Sequence, residues 1–191
     1  MLLLATGILL FWLAHGLKIH APRKRAQVSH KMGEGAVKGL VALALLGSVT
    51  LIVVGYQEAD YIAVWYPPSY LTHVNNLLMV AAVALFIAGG FKSKLADALR
   101  HPQLAGVKVW ALAHLLVNGD LASILLFGSM LAWAVVAMIG INKRDGKPPL
   151  VPQSTRARTL AHGVVSLVMV FAVALAHNYL GVWPFAGSPP V

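Results

Sequence analysis

Apolar residues run along this chain in long unbroken stretches rather than in the one-sided patterns of a soluble fold. A bilayer core about 30 Å thick needs roughly 20 apolar residues per helix. On that measure six spans emerge, at about Met1–Ala21, Gly35–Tyr56, Tyr70–Phe91, Pro102–Val117, Asp120–Ile141 and Ala157–Leu180. Pro22 stops the first. The fourth is the shortest and carries Lys108. Asn118–Gly119, a favoured tight-turn pair, separates it from the fifth. One helix running through that pair would overrun the bilayer, so two antiparallel helices are expected. The fold class is therefore all-α, a polytopic membrane helical bundle, with residues 1–191 as a single domain. No internal repeat or low-complexity segment interrupts it.

The polar positions test this division. Lys18, Arg23, Lys24, Arg25, Lys31 and Lys38 follow the first span. Lys92, Lys94, Arg100 and Lys108 follow the third, and Lys143, Arg144, Lys147, Arg156 and Arg158 follow the fifth. The other loops carry none, so alternate loops hold all 15 basic residues. The positive-inside rule then puts both termini outside the cytoplasm and three basic loops inside. Trp65, Tyr66, Tyr70, Tyr179 and Trp183 fit interfacial anchors on the outer face. Pro67–Pro68 stiffens an outer loop, and Lys147–Pro152 reads as a cytoplasmic linker. A secretory signal carries its positive charge before the apolar run. Here the charge follows it, so the first segment reads as a retained span.

Composition agrees. Hydrophobic residues make up 59% of the chain and charged ones only 11%, against roughly 25% charged in soluble domains. The net charge of +9 belongs to the inner loops and does not point to nucleic acid. Lipid is the expected partner. With no cysteine in the chain, a disulfide framework, a thiolate ligand and a cysteine nucleophile are excluded.

Eight histidines are the chemically informative feature, because ionisable groups within spans are rare and functional by default. His20 and His30 lie in the basic loop, His101 at the inner start of the fourth span, and His73 and His177 at the outer face. For His162 a hydrogen bond to a neighbouring carbonyl is expected. His15 and His114 sit deep among apolar neighbours. Metal ligand and satisfied core residue are both open readings for them. Imidazoles on two helices can ligate one haem iron from opposite faces. His15 is ten residues from Arg25, about 15 Å along a continuous helix, and His114 thirteen residues from His101, about 20 Å. Arg100, Lys108 and Arg23 to Arg25 are cations that can meet haem propionates, and they also serve as topology determinants. Met79, Met130 and Met169 are potential axial ligands or flexible core packing. Asp120 is expected to cap the fifth span and Glu34 to open the second. Gly47–Ser48 and Gly89–Gly90 offer small-residue surfaces for close helix packing or a partner.

The stretch Arg100-His101-Pro102-Gln103, followed by Trp110-Ala111-Leu112-Ala113-His114-Leu115-Leu116-Val117-Asn118-Gly119-Asp120, resembles the NnrU family. So do Ala14-His15-Gly16-Leu17, Gly33-Glu34, Trp65-Tyr66-Pro67 and His177-Asn178-Tyr179-Leu180-Gly181. The resemblance spans nearly the whole chain. It implies a bacterial inner-membrane protein linked to denitrification and nitric oxide reductase, with that enzyme or other respiratory membrane proteins as partners. The family is also similar to 15-cis-zeta-carotene isomerase, a haem b enzyme. That similarity implies haem b as cofactor and His15 and His114 as its ligands. Ala111 stands where the isomerase has a cysteine proposed as an alternative ligand. Haem binding therefore carries over better than polyene isomerisation. Three functional expectations follow: a haem protein of nitrogen-oxide respiration, a cis–trans isomerase, or a haem-free structural protein.

Overall fold

The computed structural model describes residues 1–146 and 149–184. Lys147 and Pro148, which begin the expected cytoplasmic linker, lie outside the described residues. Among those residues the secondary structure is helical, in the order α1 (Leu2–His20), α2 (Pro22–Met32), α3 (Glu34–Gln57), α4 (Leu71–Phe91), α5 (Lys94–Ala98), α6 (Pro102–Val117), α7 (Leu121–Asp145) and α8 (Arg156–Tyr179). Five of them, α1, α3, α4, α7 and α8, are long and apolar enough to cross a membrane. The sixth expected span, α6, is apolar but has 16 residues, about 24 Å by helical rise. Apolar side chains such as Leu43, Leu46, Leu167 and Phe171 remain exposed along these helices. Such surfaces are stable in hydrocarbon, where only a helix satisfies all its own backbone groups.

Pro22 does end α1, as expected, and it also opens α2 from the first-turn position. A proline lacks an N–H that a helix start leaves unpaired anyway. Gly33, at φ 83°, then separates α2 from α3. That backbone angle suits glycine and strains other residues.

The chain forms two compact units, each discontinuous in sequence. The first comprises Met1–Val64 and Asp120–Gly146. In it, α1 and α3 run antiparallel and touch through glycines. A Cβ added to Gly7 would lie 2.7 Å from the Ile52 nitrogen and 2.9 Å from the Ser48 oxygen. One added to Gly55 would collide with the backbone of Leu3 and Leu4. Helix α7 runs parallel to α1. Leu4 and Ile8 form a core with Ala122 near one end. At the other, Gly140 lies under Ile19 and His20, and the Arg144 guanidinium donates to the Lys18 carbonyl at 2.9 Å.

The second unit comprises Trp65–Gly119 and Lys147–Val191. Here α4 and α6 run antiparallel. Gly106 of α6 is pressed on the backbone of Ala82 and Phe86, where an added Cβ would lie 2.8 Å from both Ala82 O and Phe86 N. Helix α8 is antiparallel to α4, with His162 beside Ala84 and Phe91. Of the small residues singled out from sequence, Ser48 is buried in the α1–α3 seam. Gly47 and Gly90 face open space, and Gly89 meets only Pro102 at 3.9 Å. In lipid, backbone approach at small residues replaces the hydrophobic effect as the packing force. Gly7, Gly55 and Gly106 supply that approach.

Candidate functional site

The histidines divide by which ring nitrogen is engaged. On α1, His15 Nδ1 donates to the Phe11 carbonyl at 3.1 Å. A carbonyl only accepts, so the proton sits on Nδ1 and the lone pair on Nε2. Aromatic rings hold this imidazole, with Phe11 at 4.2 Å and the edge of Trp133 from α7 at 4.8 Å between centroids. On α6, His114 repeats the device: its Nδ1 donates to the Trp110 carbonyl at 3.0 Å, and the Trp110 ring lies 5.3 Å away. On α8, His177 Nδ1 donates to the Val173 carbonyl at 2.8 Å. His162 uses the other nitrogen. Its Nε2 donates to the Ala84 carbonyl at 2.8 Å, which is the neighbouring-carbonyl role expected for it.

An Nδ1–carbonyl bond is how ligating histidines are commonly oriented, because it fixes the tautomer and makes Nε2 more basic. His15, His114 and His177 share this chemistry. His177, like His73 and His101, was placed by sequence at a span edge without a ligand role. Both α6 and α8 run antiparallel to α4, so His114, three residues before the end of α6, and His177, two before the end of α8, come to the same end of the second unit.

Of these three, His15 alone belongs to the first unit. The α1 helix ends at His20 rather than continuing to Arg25. The rise from His15 to the end of its helix is therefore about 7.5 Å, half of what a continuous helix would give. His114 stands twelve residues above Pro102, about 18 Å by the same rise.

The expected propionate cations are dispersed. Arg100 and His101 precede α6, and Lys108 is half-buried on it. Lys108 is six residues before His114, about 9 Å along the axis and roughly 120° around it. Arg25 is engaged by Glu34 at 2.7 Å, while Arg23 and Lys24 are exposed. Met130 is buried in α7, Met79 is half-buried and Met169 is exposed. Among the described residues no three metal-ligating side chains come together. A haem iron asks for only two protein donors, and the Nδ1-bonded imidazoles of His15, His114 and His177 are of the type that fits that requirement. Beside Trp133, a cleft of about 190 Å³ opens between Trp12, Gly16 and Ile19 of α1 and Val136 and Ala137 of α7. That is below the roughly 300–1,000 Å³ of drug-sized ligand sites, so this cleft alone does not hold a macrocycle.

The polar residues that follow His114 in sequence have structural work. Asn118 does not close a tight turn. It is extended, at φ −116° and ψ 113°, and its Nδ2 donates to the His114 carbonyl at 2.9 Å. Gly119 packs on Trp65, whose backbone oxygen occupies the place of any Cβ, and the Trp65 N–H donates to the Gly119 carbonyl at 3.1 Å. In the first unit, Asp120 pairs with Ala63 in an isolated bridge and caps α7 by accepting from the Ser123 N–H at 2.9 Å. The Ser123 hydroxyl also donates to Asp120 at 2.6 Å and meets the Tyr56 hydroxyl at 2.7 Å. Glu34 opens α3, as expected.

No curated protein and no solved structure matches the chain significantly. The family model described as NnrU protein matches residues 3–184. That range takes in His15 and its Phe11–Trp133 surround, the α6 segment ending in Asn118–Gly119, and His177. Family and structure thus cover the same residues, and the chain belongs to the NnrU family.

Proposed function

We propose that this chain is a haem b-binding, multi-pass protein of the bacterial inner membrane that supports denitrification or nitric oxide metabolism. It does so by electron transfer, by assembly or by NO-related chemistry, beside nitric oxide reductase or another respiratory membrane protein. The observation that carries this reading is the Nδ1–carbonyl bond at His15 and His114, which presents Nε2 of each imidazole for coordination. His15 and His114 would hold the haem iron, and Arg100 and Lys108 would neutralise its propionates. When bound, haem supplies a one-electron couple. The protein's part is to fix each ring, as Phe11 and Trp133 do for His15, and to keep the surround apolar. In the membrane the chain crosses six times as a single domain, with α6 as the short fourth span and both termini outside the cytoplasm, as the alternation of basic loops requires.

A second reading is favoured by one observation. His177 repeats the His114 bond geometry and shares its end of the second unit, which makes it an alternative partner to His114. A polyene isomerase has no comparable support, since the buried Ala111 offers no thiolate.

The test is an absorption spectrum of detergent-purified protein, oxidised and dithionite-reduced, for wild type and for His15→Ala, His114→Ala and His177→Ala. A sharp reduced b-type band weakened by His114→Ala and by His15→Ala supports the first pairing. Sensitivity to His177→Ala in place of His15→Ala supports the second. Well-folded wild type that stays colourless after expression with ample haem overturns both.

A further inference from the structure

The helix α2 is the most polar helix in the chain, yet it joins two of the most apolar, α1 and α3. Its eleven residues sort into three faces at about 100° per residue. One face turns inward. Arg25 and Ser29 on it are half-buried, and Arg25 is bonded to Glu34 at the start of α3 at 2.7 Å. A second face, with Arg23, Gln27 and His30, is fully polar and exposed. Between them Lys24, Val28, Lys31 and Met32 fall at positions i, i+4, i+7 and i+8, which is one helical stripe. All four are exposed, Val28 by 44% and Met32 by 52%. Water does not favour two such side chains, and both lysines stand beside them without an acidic partner among the described ion pairs.

We infer that α2 lies on the bilayer surface, with Val28 and Met32 dipped into the headgroup boundary and Lys24 and Lys31 bound to the phosphates of anionic phospholipids. Three features select this occupant. Both neighbouring helices enter the membrane, so the eleven residues between them start and finish at its surface. The stripe pairs two apolar side chains with two long cationic ones, whose stems lie along the apolar surface while the ammonium groups reach the phosphate plane. The charge is positive, and each such lysine near an anionic surface adds about fivefold to binding. Arg25 and Glu34 act as the hinge pin: their ion pair sets how the stripe is turned. The stripe contains no histidine and uses neither Arg100 nor Lys108, the cations assigned to haem under the proposed function.

The chain has no cysteine, so single spin labels can be placed cleanly. Labels at Arg23→Cys, Val28→Cys and Met32→Cys would be read in full-length protein in nanodiscs, of phosphatidylcholine alone or mixed with phosphatidylglycerol. Collision with oxygen reports lipid, and collision with a nickel chelate reports water. With phosphatidylglycerol, positions 28 and 32 should favour oxygen several-fold over position 23. The contrast should shrink several-fold in phosphatidylcholine, in high salt, and in K24Q/K31Q. All three substituted positions are exposed, and folding is confirmed by unchanged helicity. Equal water access at 23, 28 and 32, or a contrast that ignores lipid charge and K24Q/K31Q, would overturn the inference.

Discussion

His162 on α8 is bonded through Nε2 to the carbonyl of Ala84 on α4, at 2.8 Å, with its ring buried beside Phe91. A histidine held in this way ties two helices together and has no nitrogen oriented for iron by an Nδ1–carbonyl bond. His162→Ala removes a buried hydrogen bond and leaves a cavity, at a cost of about 1–3 kcal/mol. Thermal unfolding in detergent should show the lowered midpoint. The absorption spectrum of any bound haem should not move.

The α4–α6 seam makes a sharper prediction. Gly106→Ala forces a methyl against Ala82 O and Phe86 N, both backbone atoms that cannot step aside. Overpacking of this kind costs about 1–3 kcal/mol. Gly47→Ala is the control. Nothing lies within 4 Å of its added Cβ, and alanine is the better helix former by about 1 kcal/mol. Unfolding midpoints of the two variants should therefore move in opposite directions.

Asp120 is expected to show graded behaviour. Asp120→Ala loses the cap on Ser123 N–H and leaves the buried Ser123 hydroxyl with Tyr56 in place of two partners, at about 0.5–2 kcal/mol for the cap alone. Asp120→Asn keeps an acceptor for the N–H and should fall between alanine and wild type. Hydrogen exchange in the first turn of α7 reports the same order.

On α5, the Asp97 carboxylate accepts from the Gln153 and Ser154 N–H groups at 2.8 and 3.0 Å. Hydrogen bonding by the Ser154 side chain, then by these backbone donors, holds its pKa below the usual carboxylate range. The ionised form is therefore favoured when this clasp is closed. Its contribution is complete above the ordinary carboxylate pKa of about 3.9 and is lost as pH falls through the lower, folded value. Protection factors of the Gln153 and Ser154 amides should drop across that acidic window in wild type. In Asp97→Asn they should be low and flat.

The long helices were legible because an apolar run of span length leaves few alternatives. Pro102 and Val117 bound α6 as expected, and the Asp120 cap and the His162 bond follow from residue type and depth. Helix α2 was not legible. Its sequence is polar with a sparse apolar stripe, and it reads as a charged loop until Pro22 and Gly33 are seen to frame it. Small residues announced close packing but not its location. Gly7, Gly55 and Gly106 face neighbours while Gly47 faces outward, and only helix rotation separates them. For the candidate site, depth pointed to His15 and His114. The common Nδ1 bond that adds His177 depends on side-chain rotamer, which no spacing encodes.

The interleaving of the two units has a consequence for biogenesis. The first unit needs α7, yet α4, α5 and α6 leave the ribosome before it. The α1–α3 hairpin, joined early through Gly7 and Gly55, must wait in the membrane with Tyr56 lacking Ser123, 67 residues downstream. Domains ordinarily fold as contiguous blocks during synthesis. Here neither unit can close until the translocon has released helices of the other. Truncation after Gly119 should therefore leave a protease-sensitive hairpin, and extension through Gly146 should restore its resistance.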